Sequence, residues 1–318
     1  MTPVAEIVIP TVGRPSLAVL LDALASQDTP WCAGITVVDD RATPDDLLLP
    51  RTAGSDPDLT VVRSGGRGPA AARNAGLAHT RAPWVVFLDD DLVPATGWAA
   101  ALRADLAGSD ADTAAVRGVV VDARVPDPVR RDDASLPEIS GPTPDADLAY
   151  RRNALVRVGG FDERLAAPRH EHAEVALRLR RNGAGIATGR RVTVHMPPPS
   201  GPRAIVAGQR YHRDDARMRW EHGRHWRRDA AVGRSRIRRH LVTTATGIAA
   251  GIATATGHRR AAVIAAALWL AMSAEPRRPP ERVGLRTGPA VLATVVVPPA
   301  AVYHRIRGEL AVRKVATP

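Results

Sequence analysis

Val85-Val86-Phe87-Leu88-Asp89-Asp90-Asp91 is the stretch on which the reading of this chain turns. Four apolar residues have the pattern of a buried strand, and three carboxylates follow without a spacer. A sheet interior does not accept unpaired anions, so the strand must end where the aspartates begin, at a rim open to water or ligand. In α/β sheets the carboxyl ends of the strands are where ligands bind. Asp89 and Asp91 can turn to the same side and share a hard divalent cation through oxygen ligands. The competing reading is a solvated acidic turn at the start of the next helix, whose first turn favours acids.

The neighbouring segments repeat the pattern. Ala5 to Pro10 reads as a first strand, and Pro15 to Ser26 as a helix with Leu17, Leu20, Leu21 and Leu24 on one face. Gly34 to Val38 reads as a second strand, and it too ends in acids, Asp39-Asp40. Leu59 to Arg63 gives a third strand, Gly65 to Pro69 a loop, and Ala70 to His79 a helix. Strands alternating with helices predict parallel βαβ units and an α/β fold. Parallel strands would then gather five carboxylates on one rim, which suits a base, a ribose and a metal-bound diphosphate. Gly66-x-Gly68-x-x-Ala71 mimics a dinucleotide fingerprint. However, it follows the third strand, contains Pro69 and leads to three aspartates, so a nicotinamide or flavin enzyme is not the reading adopted.

Farther along, Thr96 to Leu106 predicts a helix and Thr113 to Val121 a strand. Asp122 to Asp145, rich in Pro, Asp and Arg, predicts a long loop that would shape acceptor choice together with Arg151-Arg152. Glu171 to Arg181 predicts a helix. Gly183 to Gly189 reads as a turn into a last strand near Val192 to His195.

Composition bounds the rest. The chain has 318 residues, enough for one large or two modest domains. Its single cysteine, Cys32, excludes an intrachain disulfide and fits a reducing compartment. The first residues run into a strand with no basic start or apolar signal core, so the expectation is a cytoplasmic protein. Residues 203–318 hold 22 Arg plus Lys against 7 Asp plus Glu, a net of +15, while residues 1–202 carry a net of −4. The expected division is therefore 1–202 and 203–318, with a basic helical back region.

The ordered motifs carry a resemblance. Val8-Ile9-Pro10-Thr11, Val37-Val38-Asp39-Asp40, Ala72-Arg73-Asn74, Phe87-Leu88-Asp89-Asp90-Asp91, and Gly159-Gly160-Phe161-Asp162-Glu163 before a Glu-bearing Leu-Arg-Leu helix follow one another. Over about residues 4 to 200 the chain resembles a family 2 glycosyltransferase of the GT-A fold, with a mixed, mainly parallel sheet flanked by helices. The resemblance implies inverting transfer of a sugar from a nucleotide-sugar donor, assisted by Mg2+ or Mn2+. It implies that Pro10, Thr11, Asp39, Asp40, Arg73 and Asp90 serve the nucleotide sugar. Asp89 and Asp91 match its metal-binding acids, and His195 lies where some GT-A enzymes place a third metal ligand. The family usually shows Glu-Asp at the start of the Leu-Arg-Leu helix, with the Asp as base. Here the stretch is Glu171-His172-Ala173-Glu174, so His172 stands at the base position, flanked by Glu171 and Glu174. A histidine titrating near neutrality can take that role.

The back region alternates arginine clusters with apolar runs. Leu241 to Gly257 and Ala261 to Ala274 are each shorter than the ~20 residues of a spanning helix. A third run, Val291 to Tyr303, is broken by Pro298-Pro299. Three readings compete: a soluble helical appendage, an in-plane membrane helix followed by a hairpin, and marginal spanning helices. Arginine beside apolar runs favours peripheral association with the anionic inner face of the plasma membrane, as in bacterial cell-envelope synthesis. No nucleic-acid motif is present. The acceptor is an unidentified glycan, lipid or small molecule. The alternatives are a non-catalytic nucleotide-sugar-binding or membrane scaffold protein and a nucleotidyltransferase on a related sheet.

Overall fold

A computed structural model describes residues 5–27, 32–43, 59–123, 146–165, 170–196, 201–273 and 287–316. Most of the loop expected over Asp122 to Asp145 lies outside the described residues. The chain divides into two compact units: residues 1–198 with 228–232, and residues 199–227 with 233–318.

The first unit is built on one eight-stranded sheet. Its strands are β1 (Ala5–Thr11), β2 (Cys32–Asp39), β3 (Leu59–Arg63), β4 (Trp84–Leu88), β5 (Leu92–Pro94), β6 (Thr113–Asp122), β7 (Asp147–Arg151) and β8 (Gly185–His195). Their order is β3-β2-β1-β4-β7-β6-β8-β5. Strands β3, β2, β1 and β4 are mutually parallel, as the βαβ pattern predicts. β7 inserts antiparallel between β4 and β6, and β8 runs parallel to β6. Two antiparallel steps restore the direction of β4, so β6 and β8 also end on its carboxyl rim.

Strands buried on both faces read as unbroken apolar runs. In β4, Trp84, Val86 and Leu88 face a core shared with Leu17, Leu20 and Leu24 of α1 (Ser16–Ala25) and Trp98 and Leu102 of α3 (Trp98–Ala107). Val85 and Phe87 face the other core, with Ala70 and Leu77 of α2 (Pro69–His79), Tyr150, Phe161, and Val175 and Leu179 of α5 (Glu171–Arg181). Helix α2 lies so close to the sheet that a Cβ on Gly76 would sit 2.2 Å from Val8 Cγ1. Pro10 is accommodated because the β1–β4 pairing ends at Val8 opposite Phe87.

Two local expectations change. The stretch Gly183 to Gly189 is a turn only at its start, because β8 begins at Gly185, where its long parallel partner β6 recruits it from Thr113 onward. In the second unit, Pro298-Pro299 does not break the third apolar run. α11 runs from Thr287 to Ala316 through both prolines. Packing on α7 (Tyr211–His222) and α9 (Ile237–Ala255) holds this helix despite the lost amide donors. The short helices α4 (Arg152–Arg157) and α8 (Trp226–Asp229) fall between these elements in chain order; the second unit also contains α6 (Pro202–Ala207) and α10 (Arg259–Ser273), and α9 and α10 form an antiparallel hairpin. Gly308 of α11 allows close crossing of α7, since a Cβ there would lie 2.4 Å from the Arg213 carbonyl oxygen.

Candidate active site

Thr11, Asp39, Asp89 and His195 all stand at or just past the carboxyl ends of their strands, on one rim of the sheet. The acids there play different parts. Asp39 is buried and gripped by Arg41, with Nε 2.9 Å from Oδ1 and Nη2 2.8 Å from Oδ2. That bidentate bond, against the cost of burial, holds its carboxyl below the usual range. Asp40 turns the other way. Its carboxylate accepts from Ser64 Oγ at 2.7 Å and from the Gly68 amide at 3.0 Å, so it fastens the glycine loop before α2.

The three aspartates after β4 also separate in role. Asp90 is the buried one; it accepts from Thr11 Oγ1 at 2.6 Å and from Arg14 Nη1 at 2.7 Å. Burial raises its pKa, and those two bonds oppose the rise. Asp91 lies 3.6 Å from His195 Nε2 and 3.5 Å from Arg14. The pairing β5–β8, which sets Leu92 opposite His195, brings them together. Burial disfavours the Asp91 charge, but His195 and then Arg14 outweigh it and the pKa is lowered. The neighbouring Asp91 carboxylate raises the pKa of His195 against burial.

Asp89 faces α2. Its Oδ1 accepts from Arg73 Nη2 at 2.7 Å, and Arg73 Nη1 donates to Glu171 at 2.7 Å. Arg73 is only 2% exposed and forms a buried link between β4 and α5. Desolvation, reinforced by Asp91, Glu171 and Asp90 and opposed by Arg73, pushes Asp89 up to about 6. Among the described residues, Asp89, Asp91 and His195 do not bring three ligand atoms within 4.8 Å of one another. The donor set is two carboxylates and an imidazole, which fits Mg2+ or Mn2+ chemically. Asp89 pairs with Arg73, and Asp91 lies beside Arg14 and His195.

The start of α5 is buried. His172 Nδ1 and Tyr150 Oη share a hydrogen bond of 2.9 Å, and Nε2 is buried with no hydrogen-bond partner. Phe87, Tyr150 and Phe161 surround the ring. Desolvation first, then Arg73 and Arg117, lowers its pKa well below the usual value, so the ring is neutral. Glu174 is bound by Arg178 at 2.7 Å, and the same guanidinium reaches the carbonyls of Val158 and Gly160. Asn74 holds this loop from the other side, accepting from the Phe161 amide at 2.8 Å and donating to its carbonyl at 2.9 Å. Gly160, at φ 70°, is required there, because a Cβ would lie 2.6 Å from Asn74 Oδ1.

The structure thus brings Asp89, Arg73 and Glu171 into one bonded network, and Thr11, Asp90, Arg14, Asp91 and His195 into a second. His172 and Glu174 lie behind the first. Sequence reading missed Arg14, Arg41, Asn74 and Tyr150 as partners. Only Asn74 carried a signal, through its place beside Arg73.

Residues 6–161 match the model of glycosyl transferase family 2. The chain is 33% identical over 132 residues to the pre-mycofactocin glycosyltransferases of two Mycobacterium tuberculosis strains. That match covers 37% of this chain and 27% of the relatives' length. Among solved structures it is similar to a mannosyltransferase of Pyrobaculum calidifontis in complex with GDP-Man and Mn2+. There the identity is 18%, the TM-score 0.57, and the coverage 97% of this chain and 87% of that one. The sheet order, the acid-bearing rim and the matched stretch agree: over residues 6–161 the chain is a glycosyl transferase family 2 domain on a GT-A fold.

Proposed function

We propose that the chain transfers a glycosyl group, with inversion, from a nucleoside-diphosphate sugar to an acceptor hydroxyl. The observation that supports this most is the bonded chain Asp89–Arg73–Glu171, which links a metal-type acid at the rim to a carboxylate at the start of α5. In this reading Pro10, Thr11, Asp39 and Asp40 frame the nucleoside, with Arg41 orienting Asp39. Asp90 fixes Thr11, and Asp89, Asp91 and His195 hold Mg2+ or Mn2+. A divalent cation bound there supplies Lewis-acid stabilisation of the leaving diphosphate. Arg73 keeps the carboxylates of Asp89 and Glu171 in register.

Glu171 is the base. Of the three candidates on α5, it alone is joined to the rim acids, whereas His172 is enclosed by aromatic rings and Glu174 holds the Gly159-Gly160 loop. Glu171 takes the acceptor proton as the hydroxyl oxygen bonds to the anomeric carbon, opposite the departing diphosphate. The bond from carbon to the diphosphate oxygen breaks as the new one forms, which inverts the centre. His172 positions this end of α5 through Tyr150. The acceptor lies at an anionic membrane face, to which the arginine-rich back region draws the protein. Among the described residues no helix is long and apolar enough to cross a membrane, so a peripheral attachment is the consistent form.

The test is calorimetric titration with UDP, GDP and dTDP, each with and without Mn2+. Asp89→Asn/Asp91→Asn and Glu171→Gln proteins run alongside. Metal-dependent binding of one nucleotide, lost in the double variant and kept in Glu171→Gln while transfer disappears, is the expected result. A folded protein that binds none of them overturns the reading. Binding without turnover in the wild type reduces it to a donor-binding protein.

A further inference from the structure

The α9–α10 hairpin exposes what a soluble helical pair normally hides. It carries eight of the eighteen exposed large hydrophobic residues among the described residues. On α9, Leu241, Ile248 and Ile252 fall on one stripe at helical spacing, and Ile252 is 60% exposed. On α10, Val263, Leu268 and Leu270 are likewise open, Val263 at 69%. Between them the two helices bury little beyond Thr243 and Ser273. Scattered single apolar residues on a surface need no explanation, but a stripe on α9 beside a helix that exposes Val263 and Leu270 on one face and Leu268 on another does.

The charges specify what would cover these exposed faces. From Ala230 to Ala274 the sequence has six arginines and no acid. Four of them, Arg234, Arg236, Arg238 and Arg239, stand before or in the first turn of α9. The other two, Arg259 and Arg260, follow His258 at the tip between the helices. Each helix is therefore uncharged along its length and basic at one end, and the hairpin is basic at both ends. A second copy would set arginine against arginine. A perpendicular insertion would drive the tip arginines through hydrocarbon, at a cost of ~2.5–3.5 kcal/mol each even on the milder scales. An in-plane position satisfies both ends: the apolar faces enter the acyl boundary while the arginines stay among the phosphates.

We infer that the α9–α10 hairpin lies flat in the surface of an anionic phospholipid membrane and is the element that docks the protein there. The inference deepens the membrane-face part of the proposed function and does not depend on the metal site. Its chemistry asks for a lipid surface with negative headgroups, not for a particular lipid.

Flotation of the full chain with vesicles tests it. One set is pure phosphatidylcholine, and the other is equal parts phosphatidylcholine and phosphatidylglycerol. The wild type binds the anionic set at least about tenfold better, and added salt weakens binding. Ile248→Gln/Ile252→Gln/Val263→Gln/Leu270→Gln loses that binding, and Arg259→Gln/Arg260→Gln loses about tenfold of it. These exposed positions leave the fold intact, which circular dichroism checks. Asp89→Asn keeps full vesicle binding, so failure at the donor site and failure of docking are read separately. No binding to anionic vesicles, equal binding to both sets, or unchanged binding of the four-residue variant overturns the inference. So does a lipid-free dimer that the four-residue variant turns into monomer while neither protein binds vesicles.

Discussion

Arg14 sits beside the acids to which the proposed function assigns a metal. Its guanidinium sits 2.7 Å from Asp90 and 3.5 Å from Asp91, yet its side chain is 42% exposed. A partly exposed pair of this kind is worth ~1 kcal/mol at most, so a divalent ion displaces it readily. Arg14→Gln should therefore raise the affinity of the nucleotide-free protein for Mn2+ by up to about fivefold, read by calorimetry. A fall in affinity would mean that Arg14 supports the metal site instead of competing for it. His172 gives a second residue-scale outcome. Its native pKa is depressed, so the unfolded chain takes a proton that the folded cage, facing Arg73 and Arg117, refuses. Stability is then lost as pH falls through the unfolded value of about 6.5, because the unfolded state binds more protons. The Tm advantage of wild type over His172→Gln should shrink between about pH 7.5 and about pH 5. A gap that stays constant would show that the ring titrates in the native state as it does in the unfolded chain.

At the scale of elements, a buried polar network ties α3, β6, β7 and β8 together. Arg191, with no exposed surface, donates to Asp147 at 2.7 Å, to Asp105 at 3.2 Å and to the Val116 carbonyl at 2.7 Å. Trp98 Nε1 donates to Asp147 at 2.9 Å. Breaking such a pair from one side leaves an uncompensated buried charge, so Arg191→Met should cost about 3–5 kcal/mol in urea unfolding. Asp147→Asn, which keeps the shape and the Trp98 bond, should cost less. Equal losses would mean that the lost charge, not the lost shape, sets the cost. None of this was legible in the sequence. Asp147 and Arg191 lie 44 positions apart, and nothing in either neighbourhood marks them as partners. The antiparallel insertion of β7 beside β4 was equally hidden, because pairing across a sheet leaves no local signature. What could be read was whatever local pattern dictates. The alternation of β1, β2 and β4 with α1 and α2 was visible, and so was the necessity that Asp89 to Asp91 lie beyond the end of a buried strand. The splitting of those acids was not, since it follows from Arg73 and Arg14 arriving from elsewhere in the chain.

The whole molecule joins two units of opposite character: an acidic-rimmed sheet and a set of basic, partly apolar helices. Each is assigned its own ligand, and the two ligands differ in where they should quench backbone opening. A nucleoside diphosphate with Mn2+, at about a hundred times its Kd, stabilises the state that binds it by ~2.7 kcal/mol. Hydrogen exchange should then slow about a hundredfold for amides of β4, α2 and α5 that open only with unit 1, and should leave α9 and α10 unchanged. Anionic vesicles should do the reverse, protecting Ile237–Ala255 and Arg259–Ser273 and sparing the rim. The two footprints arise from different physics, phosphate coordination in one case and apolar burial beside arginine in the other. Salt should therefore erode the vesicle footprint far more than the nucleotide one, because exposed arginines are screened and a partly buried coordination site is not. If nucleotide alone protected the hairpin as strongly as the rim, the assignment of one ligand to each unit would fail, and the helices would have to be counted among the donor-binding elements.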